Sequence, residues 1–410
     1  MEYKVSNHAK LTTLILIVVG IASLLYGIYS GGHGEHGGHD SHIGTRLWAN
    51  LLVNGYFFFT ISLAAVFFLS LQYVSEMAWG VTTQRVFQAI MAFMPIGAVV
   101  LLIVFIASSL GHTHLYHWMA EGVMDPTDKD NYDPIIAGKS GYLNQAFFWA
   151  RTIVYLAVWM YFAHWFRKNS LKEDKLNLEG ATSPIYKKAI LKGVLFIGFF
   201  AYTSSSSAWD WLMAIDVHWF STMFGWYCFS GMWVSMMIVA VVLVQYLKKN
   251  GFLKEVNSSH VHDIGKWMFA ISCLWSYIWF CQFMLIWYSN IPEEVTYYIQ
   301  RFDQYRGLYL ATFFVNFLLP FFILMSRDAK RNGIFLIPVA LIIFFGHYVD
   351  VLVMVLPGTM FEHGHLGAVE IGLFLTFLGV FIFTVLRALS KAPLMTKNHP
   401  MYDESIHLHH

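Results

Sequence analysis

"FLIPVALIIFFGHYVDVLVMVLP", residues 335–357, is apolar for almost its whole length and long enough to cross a bilayer as one helix. Two residues break the pattern, His347 and Asp350. Three positions apart, they fall on the same side of a helix. Counted inward from Pro357, Asp350 is expected about 10 Å deep and His347 about 15 Å deep. An ionisable side chain inside a spanning helix is costly and marks function by default. Two titratable groups together at depth suit proton transfer better than packing.

The rest of the chain supports the reading of residues 335–357 as a membrane span. Of its 410 residues, 57% are hydrophobic and 12% charged, against about 25% charged in ordinary soluble domains. A chain this apolar cannot cover its own surface in water, so its solvent is lipid. Formal net charge is +1, and no basic face for nucleic acid is present. Windows of about 20 apolar residues give ten spans, near 11–30, 48–73, 86–109, 143–166, 189–212, 222–247, 265–288, 307–326, 333–356 and 366–388. The first is not read as a cleavable signal peptide: its apolar core is too long and no small-x-small site follows. The chain is therefore expected to be an all-α integral membrane protein.

Cytoplasmic loops carry an excess of Lys and Arg. With the N-terminus inside, 20 basic residues fall on inner segments and only Arg46, Lys129, Lys139, Arg301 and Arg306 on outer ones. Both termini are thus expected in the cytoplasm. The outer connections are long. "LYHW" (115–118) suits the headgroup level, as do Tyr297, Tyr298 and Tyr305. These loops either dock partners or merely cover helix ends.

The other ionisable groups at depth are Arg151 in helix 4, Asp210 in helix 5 and Glu370 in helix 10. With His347 and Asp350 they complete a list of candidates for a proton path. All sit in the outer half, whereas Gln88, Ser235 and Gln245 make the inner half mostly neutral. Arg151 can pair with either Asp210 or Asp350. Pro320 is expected to kink helix 8 and free a carbonyl, with Asn316 nearby to answer it or to face another helix. No other span offers a comparable break, which argues against a transporter built on paired broken helices.

His33, His36, His39 and His42 recur every third residue in "GGHGEHGGHDSH" (31–42). Imidazoles bind zinc, copper or nickel, but the glycines leave them without preorganisation, and a solvated linker is expected. The terminal "HLHH" is read the same way. Cys228, Cys273 and Cys281 contain no CxxC spacing, so no zinc ribbon, attached c-type haem or iron–sulfur ligand set can be built from this chain alone.

Two stretches go beyond composition: "SSSSAWDWLMAIDVHWFSTMFGWYCFSG" (204–231) and "FCQFMLIWYSNIPEE" (280–294). With "HLYHW" (114–118) and "LPFFILMSRDAKRN" (319–332), they resemble the NrfD-like membrane subunits, the polysulfide reductase membrane-subunit family. More narrowly, the chain is similar to those of bacterial alternative complex III, a quinol:cytochrome c oxidoreductase. The resemblance spans essentially the whole sequence. It implies two four-helix bundles, helices 2–5 (48–213) and helices 6–9 (214–356). Helix 1 (within 1–47) and helix 10 (within 357–410) are then peripheral. It implies a bacterial inner-membrane location, no redox centre in this chain, and quinol, expected to be menaquinol, oxidised on the outer side. Implied partners are a paralogous NrfD-like (ActC-like) subunit, a periplasmic iron–sulfur subunit, multihaem and monohaem cytochromes c and a cytochrome oxidase as alternative acceptor. A quinone pocket is then expected among His112, His114, Arg151 and Gln282. The expected function is a cofactor-free subunit lending a proton path to quinol oxidation; the alternative is a membrane anchor without a substrate site.

Overall fold

The computed structural model describes residues 3–32, 40–176, 183–361, 364 and 366–409, with 31, 32 and 40–42 described by backbone only. All regular structure among them is helical. Ten helices are long and apolar enough to cross a membrane: α1 Asn7–Gly32, α2 Asp40–Val74, α3 Ala78–Ser109, α4 Gln145–Glu173, α5 Pro184–Trp211, α6 Phe224–Lys249, α7 Ser258–Ser289, α8 Arg306–Leu324, α9 Gly333–Met360 and α10 Ala368–Leu389. All ten expected spans are present. Several run further than their apolar windows, because their terminal turns are polar and held by caps. Asn257 caps α7 in a capping box with His260, and Ser183 caps α5.

α2 is the hub: 94% of its best window is buried, against 11% for α1. It packs on α3 and α5, and α4 closes that group against α5 and α3. α6 packs on α7 and α9, with α8 between α7 and α9. The two four-helix bundles meet where α2 lies on α6 and α9, and α5 on α6. α10 covers α2 and α3, and α1 is held almost wholly by α10.

The α1–α10 contact is antiparallel and depends on small residues. Gly20 and Gly27 face a strip containing Gly372 and Val369, while Gly379 lies on Thr13 and Ile17. A Cβ on Gly372 would sit 2.6 Å from the Leu24 backbone nitrogen and 2.8 Å from the Gly20 carbonyl oxygen. Only glycine permits that approach, the small-residue packing typical of membrane helices. Gly372→Val is therefore expected to cost about 1–3 kcal/mol of overpacking. Ser23 donates to the Ala368 carbonyl at 2.9 Å across the same contact. A disulfide between Ser23→Cys and Ala368→Cys should form in the parent and fail in the Gly372→Val background.

Two spans are irregular. α3 begins with the 3₁₀ turns Ala78–Thr83 and is interrupted again at Met91–Phe93. α8 contains a π segment at Phe314–Leu318, ahead of Pro320. The expectation that only Pro320 marks a break is thus incomplete, since the turn before Pro95 breaks α3 as well.

Both termini lie on one face, called here the terminal face; the other is the loop face. Tyr3 meets Tyr246 at 3.2 Å between hydroxyls. The chain after α10 folds back over the helix ends: Thr396 donates to the Val81 carbonyl, Asn398 to those of Glu173 and Leu176, and the Ser405 carbonyl contacts His260 Nε2 at 3.0 Å. His399 is buried against the rings of Tyr73 and Tyr186, its Nδ1 accepting from the Met401 backbone.

Burial holds the His399 imidazole down at about 4, from an ordinary 6.5. The docked tail thus carries a neutral ring. Its contribution is complete above pH 6.5, is lost as pH falls toward 4, and amounts to about 3 kcal/mol in all. Amide exchange of residues 394–408 is expected to accelerate between pH 6.5 and 4. His399→Phe should flatten that dependence.

Candidate functional site

α9 runs three residues past Pro357 to Met360. Asp350 is therefore about 15 Å from the helix end and His347 about 20 Å. His347 sits at the middle of α9, deeper than the expected outer-half position. Both are buried, at 4% and 1% exposure.

No hydrogen bond joins them. The Asp350 carboxylate accepts from the Tyr227 hydroxyl of α6 and from Trp275 Nε1 of α7, the latter at 3.1 Å. His347 stands edge-on to Trp275, 5.4 Å between ring centres at 89°. Among the described residues neither ring nitrogen of His347 has a partner. The expected His347–Asp350 pair is thus replaced by a side-by-side arrangement. Both residues border a cavity of about 20 Å³, shared with Thr60, Cys228, Gly231 and Ser235. That volume accommodates about one water molecule. α2, α6 and α9 enclose it, so it lies on the seam between the bundles.

Asn316 touches the same segment from α8. It sits at the centre of the π segment, fully buried, with no hydrogen-bond partner for its amide among the described residues. Its Oδ1 packs on Gly346, where a Cβ would overlap it. The helix it faces is therefore α9, immediately beside His347. π segments recur at functional sites.

Toward the loop face, the surface helix Pro292–Asp303 closes over Asp350. Arg301 is 1% exposed. It donates to Asp216 Oδ2 at 3.0 Å, the Met354 carbonyl at 3.1 Å and the Tyr297 carbonyl at 2.8 Å. Its guanidinium lies 3.3 Å from the Tyr297 ring centre, and Trp219 stacks on that ring at 3.8 Å. Burial pushes the Tyr297 hydroxyl pKa up, keeping it neutral. Tyr297, Tyr298 and Tyr305 are thus interior, contrary to the headgroup expectation. The same holds for Leu115, Tyr116 and Trp118 of "LYHW", which join the first bundle's core. Their hydroxyls and rings find partners inside, such as the Trp211 carbonyl for Tyr116 at 2.6 Å.

In the first bundle Arg151 resolves its choice of acid. Its Nε and Nη2 donate to the two oxygens of Asp210, each at 2.8 Å. Tyr142 and Phe147 flank the guanidinium at 3.9 and 4.0 Å. Arg151 therefore does not reach Asp350. Glu370 is the capping-box residue of α10: it accepts from the Gly367 backbone at 2.8 Å and is bound by Arg46 Nε and Asn50, both at 2.8 Å. Each has the geometry of a structural contact.

Among the described residues no hydrogen bond joins the residues expected to form a quinone pocket to one another. His112 and His114 are exposed, Arg151 is committed to Asp210, and Gln282 accepts from Ser221 at 3.2 Å. Charged groups also gather at the helix ends of the terminal face. Arg85, 3% exposed, pairs with Asp174 and contacts Gln88 at the terminal face, while Arg167 donates to the Gln88 carbonyl at 2.8 Å. Arg85, Arg167 and Asp174 lie near helix ends, just outside the apolar windows.

Sequence reasoning missed Tyr227, Trp275, Arg301 and Asp216 as site residues. Tyr227 lies in the stretch 204–231, yet a neutral donor on an apolar helix leaves no trace in hydropathy. Among the described residues no group of three or more His, Cys, Asp or Glu is placed to hold a metal ion. His33, His36 and His39 lie outside the described residues, and His42 is described by backbone only. No family model matches the chain, and no curated protein matches it in sequence.

Proposed function

We propose that this multi-pass membrane protein is a subunit of a respiratory quinol:cytochrome c oxidoreductase, where it contributes the proton-accepting site at Asp350 and His347. One observation carries the reading. Arg151, Arg46, Arg301 and Arg85 each hold a buried or half-buried carboxylate, whereas Asp350 is held only by the neutral donors Tyr227 and Trp275. A proton can arrive on Asp350 and leave it without breaking an ion pair. The free nitrogens of His347, across a one-water cavity, supply the next station.

Quinol oxidation to quinone releases two electrons and two protons. The electrons pass to partner centres, iron–sulfur clusters and then haem c; the protons need bases. The motifs at 204–231 and 280–294 favour the NrfD-like family, and within it the ActF-type subunit of alternative complex III. On that reading the chain is cofactor-free and its termini are cytoplasmic in a bacterial inner membrane. Its partners are an ActC-like paralogue, a periplasmic iron–sulfur subunit, and multihaem and monohaem cytochromes c that feed cytochrome c or a cytochrome oxidase. Because Arg151 and Gln282 are engaged by Asp210 and Ser221, we assign quinol contact, menaquinol by the same resemblance, to the paralogue. The paired state of Arg151–Asp210 and Arg46–Glu370 favours the anchor reading for the first bundle alone.

Affinity purification through a tag on this chain tests the assignment. Haem c absorbance, iron–sulfur signals and quinol-dependent cytochrome c reduction should co-purify with it. A chain that purifies without haem or quinol oxidation would end the proposal.

A further inference from the structure

A second site lies on the terminal face, independent of the redox reading. A cavity of about 780 Å³ opens between the end of α6, the start of α7 and the α8–α9 connection. Lys248 and Arg331 supply positive charge to its wall, Asp328 negative charge and Gln245 an amide. Lys248 is the penultimate residue of α6, and Gly333, also in the wall, is the first of α9. The cavity is therefore at headgroup depth. Among the described residues no ion pair or side-chain hydrogen bond engages the Lys248 ammonium or the Asp328 carboxylate. Opposite charges line one groove without meeting.

The apolar side of the groove points to lipid rather than to a soluble ion. Phe335 lines it, and Phe322, Met325 and Ile334 around it are each more than half exposed. They offer a surface for acyl chains just below the charged wall. By contrast Lys330, next to the groove, is fully engaged with the carbonyls of Leu324, Met325 and Ser326 that end α8. It closes that helix and leaves the phosphate to Lys248.

We infer that this groove binds a phospholipid whose headgroup joins a phosphodiester to a primary ammonium. The phosphate would lie toward Lys248, and the ammonium toward Asp328. A headgroup without an ammonium leaves Asp328 unanswered, and a quaternary ammonium cannot donate a hydrogen bond to it.

Native mass spectrometry of the delipidated full chain tests this, with phosphatidylethanolamine, phosphatidylglycerol or phosphatidylcholine added at equal mole ratio. Phosphatidylethanolamine should be retained most. Lys248→Ala should lower retention of both phosphatidylethanolamine and phosphatidylglycerol about fivefold, the worth of one cation near a membrane surface. Asp328→Asn should lower retention of phosphatidylethanolamine alone. Equal retention of the three lipids by the parent protein, which needs no variant to fold, would overturn the inference. So would an Asp328→Asn protein with unchanged preference. Displacement of the lipid by inorganic phosphate or glycerophosphoethanolamine would make this a site for soluble phosphates and overturn it as well.

Discussion

Arg151→Met is expected to destabilise the protein by about 3–5 kcal/mol, because it leaves a buried carboxylate without its cation. Asp210 is 0% exposed, and both of its oxygens are committed to Arg151. Methionine keeps much of the volume but none of the charge. The double variant Arg151→Met with Asp210→Leu should recover most of the loss, since replacing a whole buried ion pair by apolar groups is often neutral. Thermal unfolding in detergent, followed by circular dichroism, reads both. A double variant as unstable as the single one would mean that the pair does more than hold α4 to α5.

Asp350→Asn should do the opposite: little to stability and much to turnover. Asparagine fills the same space and its carbonyl still accepts from Tyr227 or Trp275. What it cannot do is accept a proton. Loss of a general base typically costs about 10²–10⁴ in rate. With other routes for protons in a large complex, a decrease of at least about tenfold in quinol oxidation is expected. Assembly, read from the haem content of the tagged complex, should stay at the parental level. Tyr227→Phe separates holding the carboxyl from accepting the proton, and should give an intermediate rate.

The helices were legible because each presents an unbroken apolar run, and because Lys and Arg mark the same set of connections. Their ends were less legible, since the last turns of α4 and the first of α7 are polar and held by caps or by the C-terminal tail. The arrangement of bundles came from the resemblance, not from periodicity, which carries no information about neighbours. α10 lies outside both bundles and packs on the first through Phe381, which meets Phe58 of α2 and Phe93 of α3.

At the site, sequence picked out His347 and Asp350 correctly as buried, but it could not give their partners. Arg151 had two acids within plausible reach, and only the packing of α4 on α5 decides for Asp210. Arg301 was counted as an outer-loop charge, because nothing in "YYIQRFD" (297–303) announces that the helix turns this side chain inward onto Asp216. Asn316 was recognised as a polar residue beside Pro320. Its proximity to His347 follows from the π segment and from Gly346, neither of which hydropathy reveals.

The most direct test is proton release during a single turnover of the complex reconstituted in vesicles. Asp350→Asn should be compared with the Arg151→Met, Asp210→Leu double variant. The double variant should release protons at the parental rate, and Asp350→Asn at least about tenfold more slowly. Parental proton release from an assembled Asp350→Asn complex would contradict the account, and would leave the second bundle, like the first, an anchor.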